Sequence, residues 1–302
     1  MRIVGSLIFC LGLVLVLGVG ATVALRQGGP GPGAAVGDVS SARTVAAAPG
    51  PQTLRRAAPP RMPQWPAGFI ETERADLRPR APTSLNYTPQ VRDVITYRMV
   101  DGLSLRRASA YDGGQGPVPR PVVVLFHGAS RDELSMIDMW DETARTHGLV
   151  LISLKSGGPS WDPNTDDTDV LARALDAAEA DIPIDRSRMF LFGHSAGSIY
   201  AQLLANRADG PWLAVAGHGG TLPALWVQAR DAAPPMRHYL GSSDGLFAPY
   251  DARQSSEVLA AAGHHSELVL IPGHTHWFYE GGPAIAEDAW LWFAEMMAEP
   301  AG

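Results

Sequence analysis

The sequence predicts an α/β fold built on a doubly wound, mostly parallel sheet, and three observations carry that prediction. Continuous apolar runs such as Val122-Val-Val-Leu-Phe126 and Leu149-Val-Leu-Ile-Ser-Leu154 suit strands buried on both faces. Other stretches, such as Ile199-Tyr-Ala-Gln-Leu-Leu-Ala-Asn206, space their apolar residues as a helix does. The two kinds of segment alternate along most of the chain, as a parallel sheet with crossover helices requires.

Composition bounds what such a domain can be for. A length of 302 residues with 46% hydrophobic content accommodates one large domain with extra segments. The net charge is −7 and no basic stripe is interleaved with aromatic residues, which argues against a nucleic-acid partner. The only cysteine, Cys10, lies in the apolar N-terminal segment, so the remainder can form neither a disulfide nor a thiolate metal site.

In chain order, Ile3 to Leu25 carries no charge, is flanked by Arg2 and Arg26, and is long enough to span a bilayer. Residues 1–26 are therefore expected to be a signal anchor, or a signal peptide cleaved after Val19-Gly-Ala21 or Thr22-Val-Ala24. Either way the protein is expected to be exported, periplasmic or extracellular, and to touch the membrane through this segment if it stays uncleaved. Residues 27–66 are rich in Gly, Pro and Ala with little apolar periodicity, the pattern of a disordered linker. The folded domain is expected over residues 67–302. It opens with an antiparallel hairpin, because two β-prone runs, Val91 to Met99 and Leu103 to Tyr111, are separated by Asp101-Gly102.

The strand Val122–Phe126 ends in His127-Gly128-Ala129-Ser130 and leads to a helix over Glu133 to His147. After the second buried strand, a loop from Lys155 to Thr165 contains Trp161, and a helix over Asp166 to Ala180 places acidic residues in its first turn, where they complement the dipole. Met189-Phe-Leu-Phe192 reads as a strand that runs into Gly193-His-Ser195-Ala-Gly197 and then a helix. Further strands are expected at Trp212 to Ala216, His238 to Leu240 and Glu267 to Ile271, with helices over Asp251 to Ala262 and Ala284 to Met297.

Gly-x-Ser-x-Gly between a strand and a helix is the pattern of a nucleophile elbow, which makes Ser195 the candidate nucleophile. A hydroxyl near its normal pKa attacks poorly, so it needs a base within hydrogen-bonding reach and a carboxylate to orient that base. Two downstream loops can supply them. Asp244 lies just beyond the strand His238–Leu240, and two histidines, His274 and His276, lie just beyond Glu267–Ile271. Asp251 is the rival acid, but it precedes a helical run and suits an N-cap. An acyl-transfer site also needs N–H donors for an oxyanion; Ala196, after the nucleophile, and Ala129, on the turn ending the early strand, are the candidates. Trp161 and Trp277 are candidates for the wall of a substrate pocket. His218, His264 and His265 are expected on solvated loops, and His194 is expected to point away from Ser195. No histidine pair at helical spacing joins a carboxylate, so neither a metal nor an organic cofactor is expected.

Together these motifs resemble the α/β-hydrolase superfamily and, within it, the polyhydroxybutyrate depolymerase and feruloyl esterase-like group of secreted esterases. The resemblance spans about residues 90–297 and rests on His127-Gly128-Ala129, Ile184-Asp185-Arg186, Gly193-His-Ser-Ala-Gly197, Gly241-Ser-Ser-Asp244 and Gly273-His-Thr-His276-Trp. It implies the order nucleophile, acid, base along the chain, and its Gly-x-x-His-x-Phe-like pattern aligns His276 as the base. The loop Leu154-Lys-Ser-Gly-Gly-Pro-Ser-Trp161 departs from the Tyr-Pro common in that group, and no polymer-binding module is recognisable, which sets a polymer substrate against a small-molecule ester. The expected activity is hydrolysis of a carboxylic ester through an acyl-enzyme. A peptidase of prolyl oligopeptidase type and an acyltransferase would use the same residues, and a catalytically silent binding module would not need all three.

Overall fold

A strand buried on both faces is built mainly from apolar residues, and the centre of this molecule follows that pattern. The computed structural model describes residues 42–45, 65–79, 86–101, 104–165, 167–231 and 233–297. The expected N-terminal span at Ile3–Leu25 and most of the expected linker lie outside the described residues. Among the described residues, no helix is long and apolar enough to cross a membrane.

Ten described strands form one sheet in the order β1-β3-β4-β6-β5-β7-β8-β9-β10-β2. They are β1 (Ala42–Val45), β2 (Gly68–Glu73), β3 (Ile95–Asp101), β4 (Ser104–Asp112), β5 (Arg120–Phe126), β6 (Val150–Leu154), β7 (Ile184–His194), β8 (Trp212–His218), β9 (Met236–Gly241) and β10 (His265–Ile271). The sheet is parallel except where β4 pairs antiparallel with β3 and β6. The expected hairpin is β3 and β4, whose last pair is Asp101 with Ser104; Gly102 of the expected turn lies outside the described residues.

Among the described residues, five α-helices cover the sheet: α1 (Glu133–His147), α2 (Thr168–Glu179), α3 (Ala196–Arg207), α4 (Pro249–Ala261) and α5 (Gly282–Met297). Along β5 the side chains alternate between two cores. Val122, Val124 and Phe126 join the cluster under α2 and α3. Val123 and Leu125 join the cluster under α1 and α5. Each such side chain is fully buried and contributes about 1.5–3 kcal/mol relative to exposure.

Helix ends follow local chemistry. Asp132 caps α1, accepting from the Ser135 N–H, and Gly148 closes it in the left-handed region at φ 67°. For α4 the expected cap was Asp251, but Pro249 already starts the helix, with Ala248 as the cap residue. Proline's fixed φ and missing N–H suit that first position. Asp251 therefore sits inside the first turn and acts through the dipole.

Two strands had no counterpart in the sequence reading. β2 pairs parallel with β10 at one edge, and β1, inside the Gly/Pro/Ala-rich stretch, pairs parallel with β3 at the other. The carboxyl ends of β5, β7, β8, β9 and β10 then bring together His218, the last residue of β8, and the following loops that hold His127, Ser195, Asp244 and His276.

Candidate active site

β7 passes into α3 through a turn in which Ser195 adopts φ 55° and ψ −122°, a region that costs a non-glycine residue roughly 1–3 kcal/mol. The neighbouring glycines make the turn possible. A Cβ on Gly193 would lie 2.2 Å from the Gly197 carbonyl oxygen, and one on Gly197 would lie 2.1 Å from the Phe126 oxygen. Backbone atoms cannot retreat from such contacts, so only glycine fits where β5, β7 and α3 converge. The Ser195 N–H donates to the His218 carbonyl at 2.8 Å, which fastens the turn to β8.

Three side chains from three loops meet here. Ser195 Oγ is 3.0 Å from Nε2 of His276, and Nδ1 of His276 is 2.8 Å from Oδ2 of Asp244. A carboxylate can only accept, so Nδ1 carries the proton and Nε2 is free to take one from the serine hydroxyl. Asp244 is fully enclosed, and its second oxygen accepts the Leu246 and Phe247 N–H groups at 2.8 and 3.0 Å. Burial pushes its carboxyl upward, but the His276 bond and charge, with the two amides, outweigh this and hold it below the ordinary carboxylate value. Phe247 stacks on the His276 ring at 5.7 Å. Asp251, the rival acid, is exposed in the first turn of α4.

The turn after β5 is built around His127. Its Nδ1 is 2.7 Å from the Gly128 carbonyl, and its Nε2 accepts the Ser156 N–H at 3.1 Å, which defines the neutral tautomer with Nδ1 protonated. Burial lowers its pKa to about 4. The Gly128 oxygen also accepts from the Arg131 N–H. No peptide among the described residues is cis, so with that oxygen turned toward His127 the Ala129 N–H points the opposite way. The turn lies against the elbow, since a Cβ on Gly128 would be 3.0 Å from the His194 ring and 3.4 Å from Ser195 Cβ. Neither the Ala129 nor the Ala196 N–H meets a protein acceptor among the described residues.

The tryptophans separate. Trp161 is buried, donates its N–H to the His127 carbonyl at 2.8 Å and stacks on Tyr200, so it packs against the turn after β5. Trp277 is half-buried next to His276, with the Arg131 guanidinium 5.4 Å above its ring. A cavity of about 290 Å³ opens beside Lys155, but its cations are committed. Arg106 binds Asp167, Arg107 binds Glu133, and Lys155 donates to the Arg131 carbonyl while lying 3.3 Å from His127.

The histidines depart most from expectation. His274 does not reach Ser195; its Nε2 is 2.9 Å from Nε2 of His218, and Nδ1 of His218 is 3.1 Å from Nδ1 of His194. His218 was expected on a solvated loop, yet it ends β8 with no exposure. His264 and His265 are also buried rather than solvated. His264 lies between Asn206 and the Pro234 carbonyl, and His265 pairs with Glu267, so each ring finds the partners that offset loss of water. His194 stacks on Phe278, and its ring centroid lies 5.1 Å from that of His276. No group of three or more His, Cys, Asp and Glu side chains suited to a metal ion occurs among the described residues.

No protein-family model matches the chain, and no curated protein matches it in sequence. Solved structures do match. An S-formylglutathione hydrolase from Agrobacterium tumefaciens superposes with a TM-score of 0.55 at 14% identity, covering 68% of this chain and 95% of its own. An esterase from Pyrobaculum calidifontis gives 0.57 at 14%, covering 70% and 87%. Esterase 2 of Thermogutta terrifontis, phosphorylated by paraoxon, gives 0.53 at 19%, covering 68% and 94%. The mostly parallel sheet with helices on both faces is thus the α/β-hydrolase fold.

Proposed function

We propose that this chain is a serine hydrolase that cleaves a carboxylic ester through an acyl-enzyme. The observation that carries the reading is the unbroken relay from Ser195 Oγ through His276 to the enclosed Asp244 carboxylate. Ser195 Oγ attacks the ester carbonyl while its proton passes to Nε2 of His276. Asp244 keeps the imidazole in the productive tautomer and stabilises the imidazolium. The negative oxygen that forms is met by the Ala129 and Ala196 N–H groups, which is supported by their lack of a protein acceptor among the described residues. Collapse expels the alcohol, which takes the proton from His276; water then repeats the sequence on the acyl-enzyme and releases the acid.

Trp277, half-buried beside the base, is the residue we assign to the substrate wall, and Trp161 supports the oxyanion turn. Within the superfamily we place the chain nearest the polyhydroxybutyrate depolymerase and feruloyl esterase-like group, on the strength of its Gly193-His-Ser-Ala-Gly197 and Gly273-His-Thr-His276-Trp motifs. We read it as exported, on the uncharged run Ile3–Leu25. The test is labelling by paraoxon or a fluorophosphonate together with turnover of p-nitrophenyl and feruloyl esters. Labelling and turnover that both vanish in Ser195→Ala support the reading. An unlabelled, inactive wild type overturns it in favour of a binding role.

A further inference from the structure

Beneath the relay lies a second set of histidines that the reaction does not use. His194 ends β7, His218 ends β8 in register beside it, and His274 follows β10. Their rings form one chain, 3.1 Å from Nδ1 to Nδ1 and 2.9 Å from Nε2 to Nε2. Phe278 closes one side, stacked on His194 at 4.8 Å and on His218 at 5.1 Å.

Proton counting makes the chain directional. A neutral imidazole has one N–H and one acceptor, so His218 can serve both neighbours only by donating to one and accepting from the other. The chain therefore exists in two states of opposite direction and is complete in each. Burial keeps all three rings neutral near pH 7, holding His194 at about 3, His274 at about 4 and His218 well below the ordinary imidazole value.

What the chain connects gives it meaning. His194 precedes Ser195, whose N–H is held by the His218 carbonyl at 2.8 Å. His274 lies two residues before His276, and its carbonyl accepts the Ser243 N–H at 2.9 Å, next to Asp244. The loops bearing nucleophile, acid and base are thus all fastened to His218. A hydrophobic ring there would pack but leave nitrogens of His194 and His274 buried without partners.

We propose that His218 is a positioning residue whose imidazole, by bridging His194 and His274, fixes the loop of His276 at hydrogen-bonding distance from Ser195. This rests on Ser195 and His276 being nucleophile and base. Side-chain length gives the discriminating test. An asparagine places polar atoms near Nδ1 and keeps the His194 link, whereas a glutamine reaches the Nε2 position and keeps the His274 link. His218→Leu should lower kcat at least tenfold with KM changed less than twofold; His218→Gln should recover more of kcat than His218→Asn. Wild-type kcat in a folded His218→Leu, or Asn recovering as much as Gln, overturns the proposal. If His218→Leu does not fold, nitrogen-15 NMR of the wild-type histidines decides. Three neutral rings are expected at pH 7, with one N–H bonded in each of the two links, and an unbonded His218 overturns the idea. A wild type that neither turns over esters nor takes a fluorophosphonate sinks the serine-hydrolase reading and this proposal with it, whereas an active wild type lacking the chain sinks the proposal alone.

Discussion

Nδ1 of His276 donates to Oδ2 of Asp244 at 2.8 Å, while the second oxygen of that carboxylate is taken by two backbone amides. The anion is therefore held in one orientation before any substrate arrives, and it dictates which nitrogen of the ring is free.

Replacing Asp244 by asparagine keeps the size and removes both effects. The amide can offer an N–H to the ring, which favours the wrong tautomer, and it cannot stabilise the imidazolium. Asp244→Asn should retain the fold and lose about 10⁴-fold in kcat, with partial recovery at high pH where hydroxide replaces the base. Asp251→Asn removes a favourable charge from the first turn of α4 and should cost about 0.3–1 kcal/mol in stability with kcat unchanged. Steady-state kinetics and melting curves of the pair separate acid from dipole; near-wild-type turnover in Asp244→Asn would show that the acid lies elsewhere.

His276 and His274 differ by their contacts. His276→Ala removes the group facing Ser195 and should lower kcat by about 10³-fold or more. His274→Ala leaves the relay intact and only unties the loop, so its loss should be much smaller. Comparable losses in the two variants, measured on one ester, would contradict this assignment.

How much of this was legible in the sequence depended on burial. β5 and β6 stood out because a strand covered on both faces is built mainly from apolar residues. β2, Gly68–Glu73, did not, because it is a mostly exposed edge strand whose partner β10 lies far along the chain. Ser195 was readable because its turn demands glycines on both sides. The histidine that faces Ser195 was harder, since His274 and His276 follow the same strand and only the side each faces separates them. His218, His264 and His265 escaped because a polar residue is expected in water, and nothing in the local sequence reveals the distant partners that let each ring be buried.

The backbone of Ser195 predicts a trade between activity and stability. A residue at φ 55° and ψ −122° carries strain that glycine does not feel. Ser195→Gly should be inactive yet more stable than Ser195→Ala by about 1 kcal/mol, the alanine serving as control for loss of the hydroxyl. Denaturant titration of the two variants measures the difference. Equal stability would mean that the turn stores no strain at this residue.

Acid should destabilise the protein well before its carboxylates titrate. Burial lowers the pKa of His127, His238 and His274 to about 4 and of His194 to about 3, and it shifts His218 and His264 downward as well. In the unfolded chain each takes up a proton near its ordinary value of about 6.5. Below that pH the unfolded state binds protons that the native state refuses, so stability is complete above about 6.5 and is lost as pH falls toward the folded values. Each such histidine adds about 1.4 kcal/mol per pH unit to the slope once its unfolded form is charged. Against a total stability of roughly 5–15 kcal/mol, a few of them suffice to unfold the domain. Urea midpoints measured from pH 7.5 to 4.5 should therefore fall steeply below about 6.5. A flat midpoint over that range would mean that these rings accept protons in the native state, and with them the hydrogen-bonded chain through His218 would have to be redrawn.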